Sequence, residues 1–301
     1  MAEARTSVVI PCYREDRYLL EALNSVCLQS QPVLEVIVVD DGSPQPLPQP
    51  THWAGPTLKW IRTKNQGLGA ARNQGISLAE GEFVAFLDSD DHWHRDKIAQ
   101  QESLLDANPD AVACYTQCIK APGYFPFGPY PNPKLPRDPL AVKLWQAQFF
   151  PPSSVLARRS VLLNVAGFRE GLRNGEDLDM WFRLFEIGEI YGVSIPLTWY
   201  RQHEGQITSD DVRKILGSKE ARRGIMANYS QRLVQGGISK EHFWDAYRSE
   251  ILGVYFRRKF GPARKMLWDY LKDHPFDLKI ALYFLISNLP AVWVQRLRGK
   301  I

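Results

Sequence analysis

Phe83-Val84-Ala85-Phe86-Leu87 runs without a break into Asp88-Ser89-Asp90-Asp91, so five apolar residues are followed by three carboxylates in four positions. Unbroken apolarity over so short a stretch marks a strand buried on both faces, as in parallel sheets; a half-exposed strand would alternate. Two other segments read alike: Ser7-Val8-Val9-Ile10, ended by Pro11, and Val36-Ile37-Val38-Val39, ended by Asp40-Asp41-Gly42. Between them Tyr18, Leu19, Ala22, Leu23, Val26 and Leu28 recur at helical spacing, which makes a β-α-β unit. A further strand at Leu58-Lys59-Trp60-Ile61 precedes a helix from Gly69 through Ala79. This alternation predicts an α/β fold, a mostly parallel sheet flanked by helices. Ligands of such sheets gather at the carboxyl ends of the strands, where Pro11 to Glu15, Asp40-Asp41 and Asp88 to Asp91 stand.

The 301 residues are 45% hydrophobic and 23% charged, which excludes a disordered or fibrous chain. Met1 to Thr6 carry no apolar run, so no secretory leader is expected, and the chain reads as cytoplasmic. Cys12, Cys27, Cys114 and Cys118 lack CxxC spacing and are expected to be reduced, mostly packed thiols. Charge divides the chain: residues 1–209 hold 19 Lys/Arg against 24 Asp/Glu, whereas residues 210–301 hold 18 against 9. The first part is expected to be the α/β domain. The second is expected to be a basic helical subdomain with helices at 212–235, 239–259, 261–273 and 277–298. Residues 121–139, rich in proline and aromatics, are expected to form an ordered loop or lid.

Carboxylates at the end of a buried strand are costly unless something positive sits among them. Asp88 and Asp90 are oxygen ligands suited to a hard divalent cation, whose remaining sites water and a substrate diphosphate would fill. At Asp41 a carboxylate could accept from a nucleobase N–H, with Tyr13 stacked on the base and Pro11 shaping the pocket; alternatively Asp41 belongs to a plain turn and Tyr13 to the core. Asn65-Gln66-Gly67-Leu68-Gly69-Ala70-Ala71-Arg72-Asn73 sets glycines ahead of a helix, and Arg72 could reach an anionic or sugar group; it lacks the third glycine of a dinucleotide fingerprint. Asp177 and Trp181 lie four apart in Glu176-Asp177-Leu178-Asp179-Met180-Trp181, so on a helix they share a face. A base beside an aromatic ring suits a sugar acceptor, though a helix-start carboxylate with a core tryptophan reads equally well. His203 is either structural or a further metal or phosphate contact, and His92 and His94 read as helix-start residues.

Together these segments resemble glycosyltransferase family 2 of bacterial type, with its GT-A, Rossmann-like fold. The resemblance is carried, over residues 6–208, by Val8 to Tyr13, Val38 to Ser43, Asn65 to Asn73, Phe86 to Asp91, Ala166-Gly167-Phe168, Glu176-Asp177, and Tyr200-Arg201 with His203. It implies an inverting transferase that moves a sugar from a nucleoside diphosphate to a hydroxyl of a glycan, polysaccharide or lipid-linked acceptor, with Asp177 as general base. By the same resemblance Pro11, Tyr13, Glu15, Asp41, Arg72, Asp88 and Ser89 would bind the nucleotide, and Glu176 and Trp181 the acceptor. Asp90 and His203 would hold Mg²⁺ or Mn²⁺. Asp41 fits a UDP- or dTDP-sugar better than a guanosine one.

Two rivals stand beside that reading. A nucleotidyltransferase also keeps metal carboxylates at strand ends, but the first strand here lacks a glycine-rich phosphate loop. A degenerate, sugar-binding homologue would not need every acidic motif. Residues 280–295 hold no Asp, Glu, Lys or Arg, yet this stretch of 16 is too short to span a bilayer and contains Pro290. The basic region is therefore either a solvated helical subdomain or a peripheral contact with the inner face of a membrane. No nucleic-acid module is recognisable.

Overall fold

The computed structural model describes residues 3–14, 18–121, 123–127, 150–172, 174–203, 211–235 and 239–288. Four parallel strands open the fold, β1 (Thr6–Cys12), β2 (Glu35–Asp40), β3 (Thr57–Arg62) and β4 (Phe83–Phe86), ordered β3-β2-β1-β4. Every residue of β1, β2 and β4 is buried. Alternate side chains go to opposite faces: Val9, Ile37, Val39, Val84 and Phe86 enter one core, while Val8, Ile10, Val36, Val38 and Ala85 enter another. Two cores, one on each face, are why these strands are apolar at every position.

Helices α1 (Leu19–Cys27) and α3 (Lys97–Ala107) cover one face; α2 (Leu68–Leu78), α4 (Arg159–Asn164) and α5 (Glu176–Ile187) cover the other. Past β4 the sheet turns mixed. A 3₁₀ turn at Pro152–Ser154 leads into β8 (Val155–Arg158), antiparallel to β4. Then come β6 (Ala111–Ala121), β9 (Glu189–Arg201) and the two-residue β5 (His92–Trp93), with β7 (Gly123–Phe127) paired to β6. Two expectations are corrected here. Gly123–Phe127 is a strand, not loop, because its backbone pairs antiparallel with β6; residues 122 and 128–139 of the expected lid lie outside the described residues. His92 belongs to a strand paired with Trp199 of β9, and α3 begins only at Lys97. None of the four cysteines is in a disulfide, and of them Cys27 alone is exposed.

The C-terminal helices are α6 (Asp211–Gln235), α7 (Lys240–Phe256), α8 (Phe260–Asp273) and α9 (Leu278–Ser287). They build a third core around Tyr247, Ile251, Val254, Met266 and Leu267. Ile225 and Phe243 join the sheet's core instead, so the helical region is packed onto the α/β part. The expected boundary at 209/210 falls within residues 204–210, outside the described residues. Among the described residues no helix is long and apolar enough to cross a membrane.

Helix α2 lies so close to β1 that a Cβ built on Gly75 would sit 2.2 Å from Val9 Cγ1 and 2.8 Å from Cγ2. Val9 is a fully buried, β-branched strand residue and cannot step aside. In urea unfolding, Gly75→Ala is expected to lose about 1–3 kcal/mol despite alanine's better helix propensity, with a smaller loss in a Val9→Ala background.

Candidate functional site

Because β1, β2 and β4 are parallel, their carboxyl ends share one edge: Cys12 lies beside Asp40, and Val9 beside Phe86. Each chain leaves its strand into a braced turn. Asp40 accepts the Ser43 N–H at 2.8 Å, and the Ser43 hydroxyl accepts the Arg14 N–H at 2.7 Å. Gly42 holds φ +68°, and a Cβ there would meet the Asn65 nitrogen at 2.4 Å, so only glycine permits the turn. The Asp41 carboxylate, 3% exposed, accepts backbone N–H groups of Gln66 and Gly67, both at 2.8 Å. Asp41 thus fixes the loop that starts α2, and a base could use only the lone pairs this leaves. Tyr13 is 41% exposed beneath the Arg14 guanidinium, which excludes the core alternative for its ring. Pro11 is buried within β1, and Glu15 lies outside the described residues.

Arg72 joins this edge to a distant segment. Its side chain, buried on α2, donates to Asp88 Oδ1 at 2.7 Å and to Glu176 Oε1 at 2.8 Å, with the Phe168 ring 5.3 Å from its guanidinium carbon. Those two carboxylates hold its proton affinity above the ordinary arginine value despite burial. Phe168 is itself placed by Asn73, whose side-chain amide accepts the Phe168 N–H at 2.6 Å and donates to its carbonyl at 2.8 Å. Gly167, at φ +67°, lets that amide approach: a Cβ there would fall 2.3 Å from Asn73 Oδ1. The Ala166-Gly167-Phe168 motif therefore acts as a backbone receptor for Asn73.

Expectations at Arg72, Glu176 and Trp181 meet a different geometry. Both terminal nitrogens of Arg72 are already engaged by carboxylates of the chain, and Glu176 is 7% exposed with an oxygen on that guanidinium. Trp181 is corrected outright as an acceptor platform. It is 1% exposed, donates its indole N–H to the Phe150 carbonyl at 3.2 Å and packs on the Phe150 and Phe168 rings. Its position one turn into α5 carries the side chain under the sheet. Asp177 stands in the first turn, half-buried, its Oδ1 accepting the Leu178 N–H at 2.7 Å. Burial, and secondarily Glu176, push its carboxyl up to about 7, which the Arg72 charge only partly offsets.

After β4, Asp88, Ser89 and Asp90 are half-buried and Asp91 is buried. Asp90 Oδ2 lies 3.0 Å from His203 Nε2, and its carbonyl accepts Arg201 Nε at 2.9 Å. Asp91 accepts the Ser153 hydroxyl at 2.6 Å and the Arg201 N–H at 2.9 Å. Burial, then the charges of Asp90 and Asp88, raise its carboxyl well above the usual range. Arg201 also pairs with Glu21 and lies 4.0 Å over Tyr18, and the Tyr18 ring is 5.3 Å from that of His203. Sequence reasoning missed Ser153, which receives the Asp88 N–H at 3.0 Å as well; Pro151-Pro152-Ser153-Ser154 carries no local signal of that task. Among the described residues, no group of three or more His, Cys, Asp or Glu is arranged to hold a metal ion.

Residues 7–165 match the model for glycosyl transferase family 2. An uncharacterized glycosyltransferase of Rickettsia conorii is 29% identical over 70% of this chain, but the match spans 35% of that protein's length. The amylovoran biosynthesis glycosyltransferase AmsB of Erwinia amylovora is 39% identical over 35% of this chain and 37% of its own length. Among solved structures, S. aureus TarS 1–349 in complex with UDP-GlcNAc superposes at a TM-score of 0.61, covering 89% of this chain and 81% of that one, with 18% identity. That likeness bears on the fold, which is GT-A.

The site's frame can be tested without any ligand. Arg72→Met strands Glu176 and Asp88 and is expected to cost about 3–5 kcal/mol in urea unfolding. Arg72→Lys should lose an intermediate amount, since one ammonium cannot match the two arms of the fork.

Proposed function

From the premise that this chain belongs to glycosyl transferase family 2 and has the GT-A fold, we propose that it transfers a sugar from a nucleoside diphosphate to an acceptor hydroxyl, with inversion at the anomeric carbon. The observation that carries the reading is Asp177, a half-buried carboxylate beside the strand-end acids whose proton affinity lies near neutral pH. A base tuned near the working pH combines a deprotonated population with real driving force for proton transfer. The family match leaves the nucleotidyltransferase alternative without support.

In this mechanism Asp177 takes the proton of the acceptor hydroxyl while that oxygen forms its bond to the anomeric carbon. The bond from that carbon to the diphosphate oxygen breaks, and the nucleoside diphosphate leaves with the electron pair. Because attack and departure occur on opposite faces, no covalent enzyme intermediate is needed. Tyr13 offers an exposed ring to the base, and Asp41, Asp88 and Ser89 line the same strand edge. Arg72 keeps Glu176, next to the base, and Asp88, next to the donor, in fixed relation.

Two of the residues present have the chemistry to hold a divalent cation: Asp90 and His203, whose Oδ2 and Nε2 face each other at 3.0 Å, offer a carboxylate and an imidazole. Asp88, Asp90 and Asp91 crowd together here, and burial with the neighbouring charges of Asp90 and Asp88 raises the Asp91 carboxyl well above its usual range. Asp90 and His203 would hold Mg²⁺ or Mn²⁺, with water and diphosphate oxygens completing its shell, and when bound it would neutralise charge on the departing group. The likeness to TarS in complex with UDP-GlcNAc supports a UDP-sugar donor; the likeness to AmsB, a glycosyltransferase of amylovoran biosynthesis, supports a polysaccharide acceptor over a small molecule. A lipid-linked sugar is the other acceptor consistent with the sequence.

Three outcomes test this. Asp177→Asn should retain donor binding by calorimetry while transfer falls about 10²–10⁴-fold, the usual worth of a general base; transfer at the parent rate overturns the assignment. In the parent, kcat should rise with pH through about 7 as Asp177 loses its proton. Stability runs the other way: because the folded carboxyl holds its proton above the ordinary value, its stabilising contribution is present at acid pH and is lost as pH climbs through about 7. In thermal-shift measurements, UDP- or dTDP-sugars with Mn²⁺ should raise the midpoint, and chelator should remove most of that gain.

A further inference from the structure

The C-terminal helices carry an apolar face that no part of the transferase reading uses. Helix α9 turns Ile280 and Ser287 into the helical core and leaves Leu278, Leu282 and Leu285 exposed at 81%, 55% and 63%. Their i, i+4, i+7 spacing puts them on one face. Phe276, just ahead of α9, is 90% exposed, and Trp268 of α8 is 54% exposed while stacked on Phe284 of α9 at 5.5 Å. Arg264 of α8 donates to the Ser287 carbonyl at 2.6 Å, so the two helices run antiparallel and their exposed sides adjoin. Trp268, Phe276 and the three leucines together give the exposed side of this helix pair a strongly apolar character.

Charge around this apolar side has one sign. Arg264, Lys265 and Lys272 lie one turn or less from Trp268 on the exposed side of α8, and Lys279 sits beside Leu278; all four are exposed. Residues 256–288 contain seven Lys/Arg and three Asp/Glu, and the three acids face other partners. Asp269 accepts from Lys219 and Tyr247, Asp273 from Lys219 and Arg223, and Asp277 from Tyr270 while capping α9. The sequence beyond α9 adds Arg296, Arg298 and Lys300 and no acid.

We infer that this apolar side, with Trp268, Leu282, Leu285 and its basic rim, is a docking surface for an anionic lipid bilayer. Leucines and Phe276 would enter the acyl boundary, Trp268 would sit at headgroup level, and the lysines and arginines would meet lipid phosphates. Helix α9, at 10 residues, is about 15 Å long and lies on the surface instead of crossing it. A second copy fits less well, because a two-fold contact would press two identical basic rims together. The inference needs no donor and stands apart from the transferase chemistry.

Flotation of the full chain with two vesicle types tests it: phosphatidylcholine alone, and equal parts phosphatidylcholine and phosphatidylglycerol. Recovery with the anionic vesicles should be about tenfold higher and should fall at high salt. Leu282→Glu/Leu285→Glu and, separately, Lys265→Glu/Lys272→Glu should each cut recovery about tenfold with unchanged unfolding midpoints, since all four side chains are exposed. Equal recovery from both vesicle types overturns the inference, as does parental flotation by both variants. So does a dimer in light scattering that Leu282→Glu/Leu285→Glu dissolves without any vesicle binding, which would make this side a self-interface. An acidic protein partner in place of lipid would likewise appear as no preference for anionic vesicles. Should one variant fail to fold, the other decides.

Discussion

A guanidinium buried on α2 and shared by two carboxylates holds this site together. Arg72 meets Asp88, 16 residues away at the end of β4, and Glu176, 104 residues away at the start of α5. An arginine with so little water needs paired carboxylates around it, and each carboxylate needs the arginine in return. The consequence is geometric. The turn after β4 and the first turn of α5 cannot drift apart without stranding a buried charge, so the strand-end acids and Asp177 keep a fixed relation. Asn73, one residue on, extends the restraint by holding the Phe168 backbone, whose ring lies under the same guanidinium.

What the sequence made legible follows from which physics is local. Buried parallel strands are apolar at every position, so Ser7–Ile10, Val36–Val39 and Phe83–Leu87 could be recognised in isolation; the structure lengthens the first two by one or two residues at each end and closes the third at Phe86. Acids at the ends of such strands stood out for the same reason: nothing in a core explains them. Trp181 shows the limit. Its spacing from Asp177 correctly gives a shared helix face, but spacing cannot say how deep each turn of that face lies. Asp177 sits at the helix start near the surface, and Trp181 one turn further in, beneath Phe150 and Phe168. Arg72 shows another limit, since its partners come from far along the chain and no local pattern names them.

The acids after β4 divide their tasks by depth. Asp91, the deepest, has its proton affinity raised by burial and ties the turn to Ser153 and to the end of β9 through the Arg201 N–H. Asp90, half-buried, faces His203, and Asp88 faces Arg72. Three carboxylates in four positions would repel one another; here one accepts a hydroxyl and a backbone N–H, one is paired with arginine, and the third stands by an imidazole that can also bind a metal. Ser153 serves two of them, receiving the Asp88 N–H and donating to Asp91, so the turn is fixed from β8's side of the sheet.

Asp177 gains its basicity from the same arrangement. A guanidinium this close would ordinarily pull a carboxyl well below its usual range, yet burial and the Glu176 charge outweigh it. Both terminal nitrogens of Arg72 are committed to Glu176 and Asp88, so Asp177 feels that charge without receiving its hydrogen bonds. Two negative neighbours largely cancel the one positive group, and the limited access to water then raises the proton affinity. Removing Arg72 would therefore alter base strength as well as stability, whereas moving Asp177 one position along α5 would take it out of the shared field. The pairing of Glu176 with Arg72 is what leaves the carboxyl of the next residue with a proton affinity near neutral pH instead of that of another structural anion.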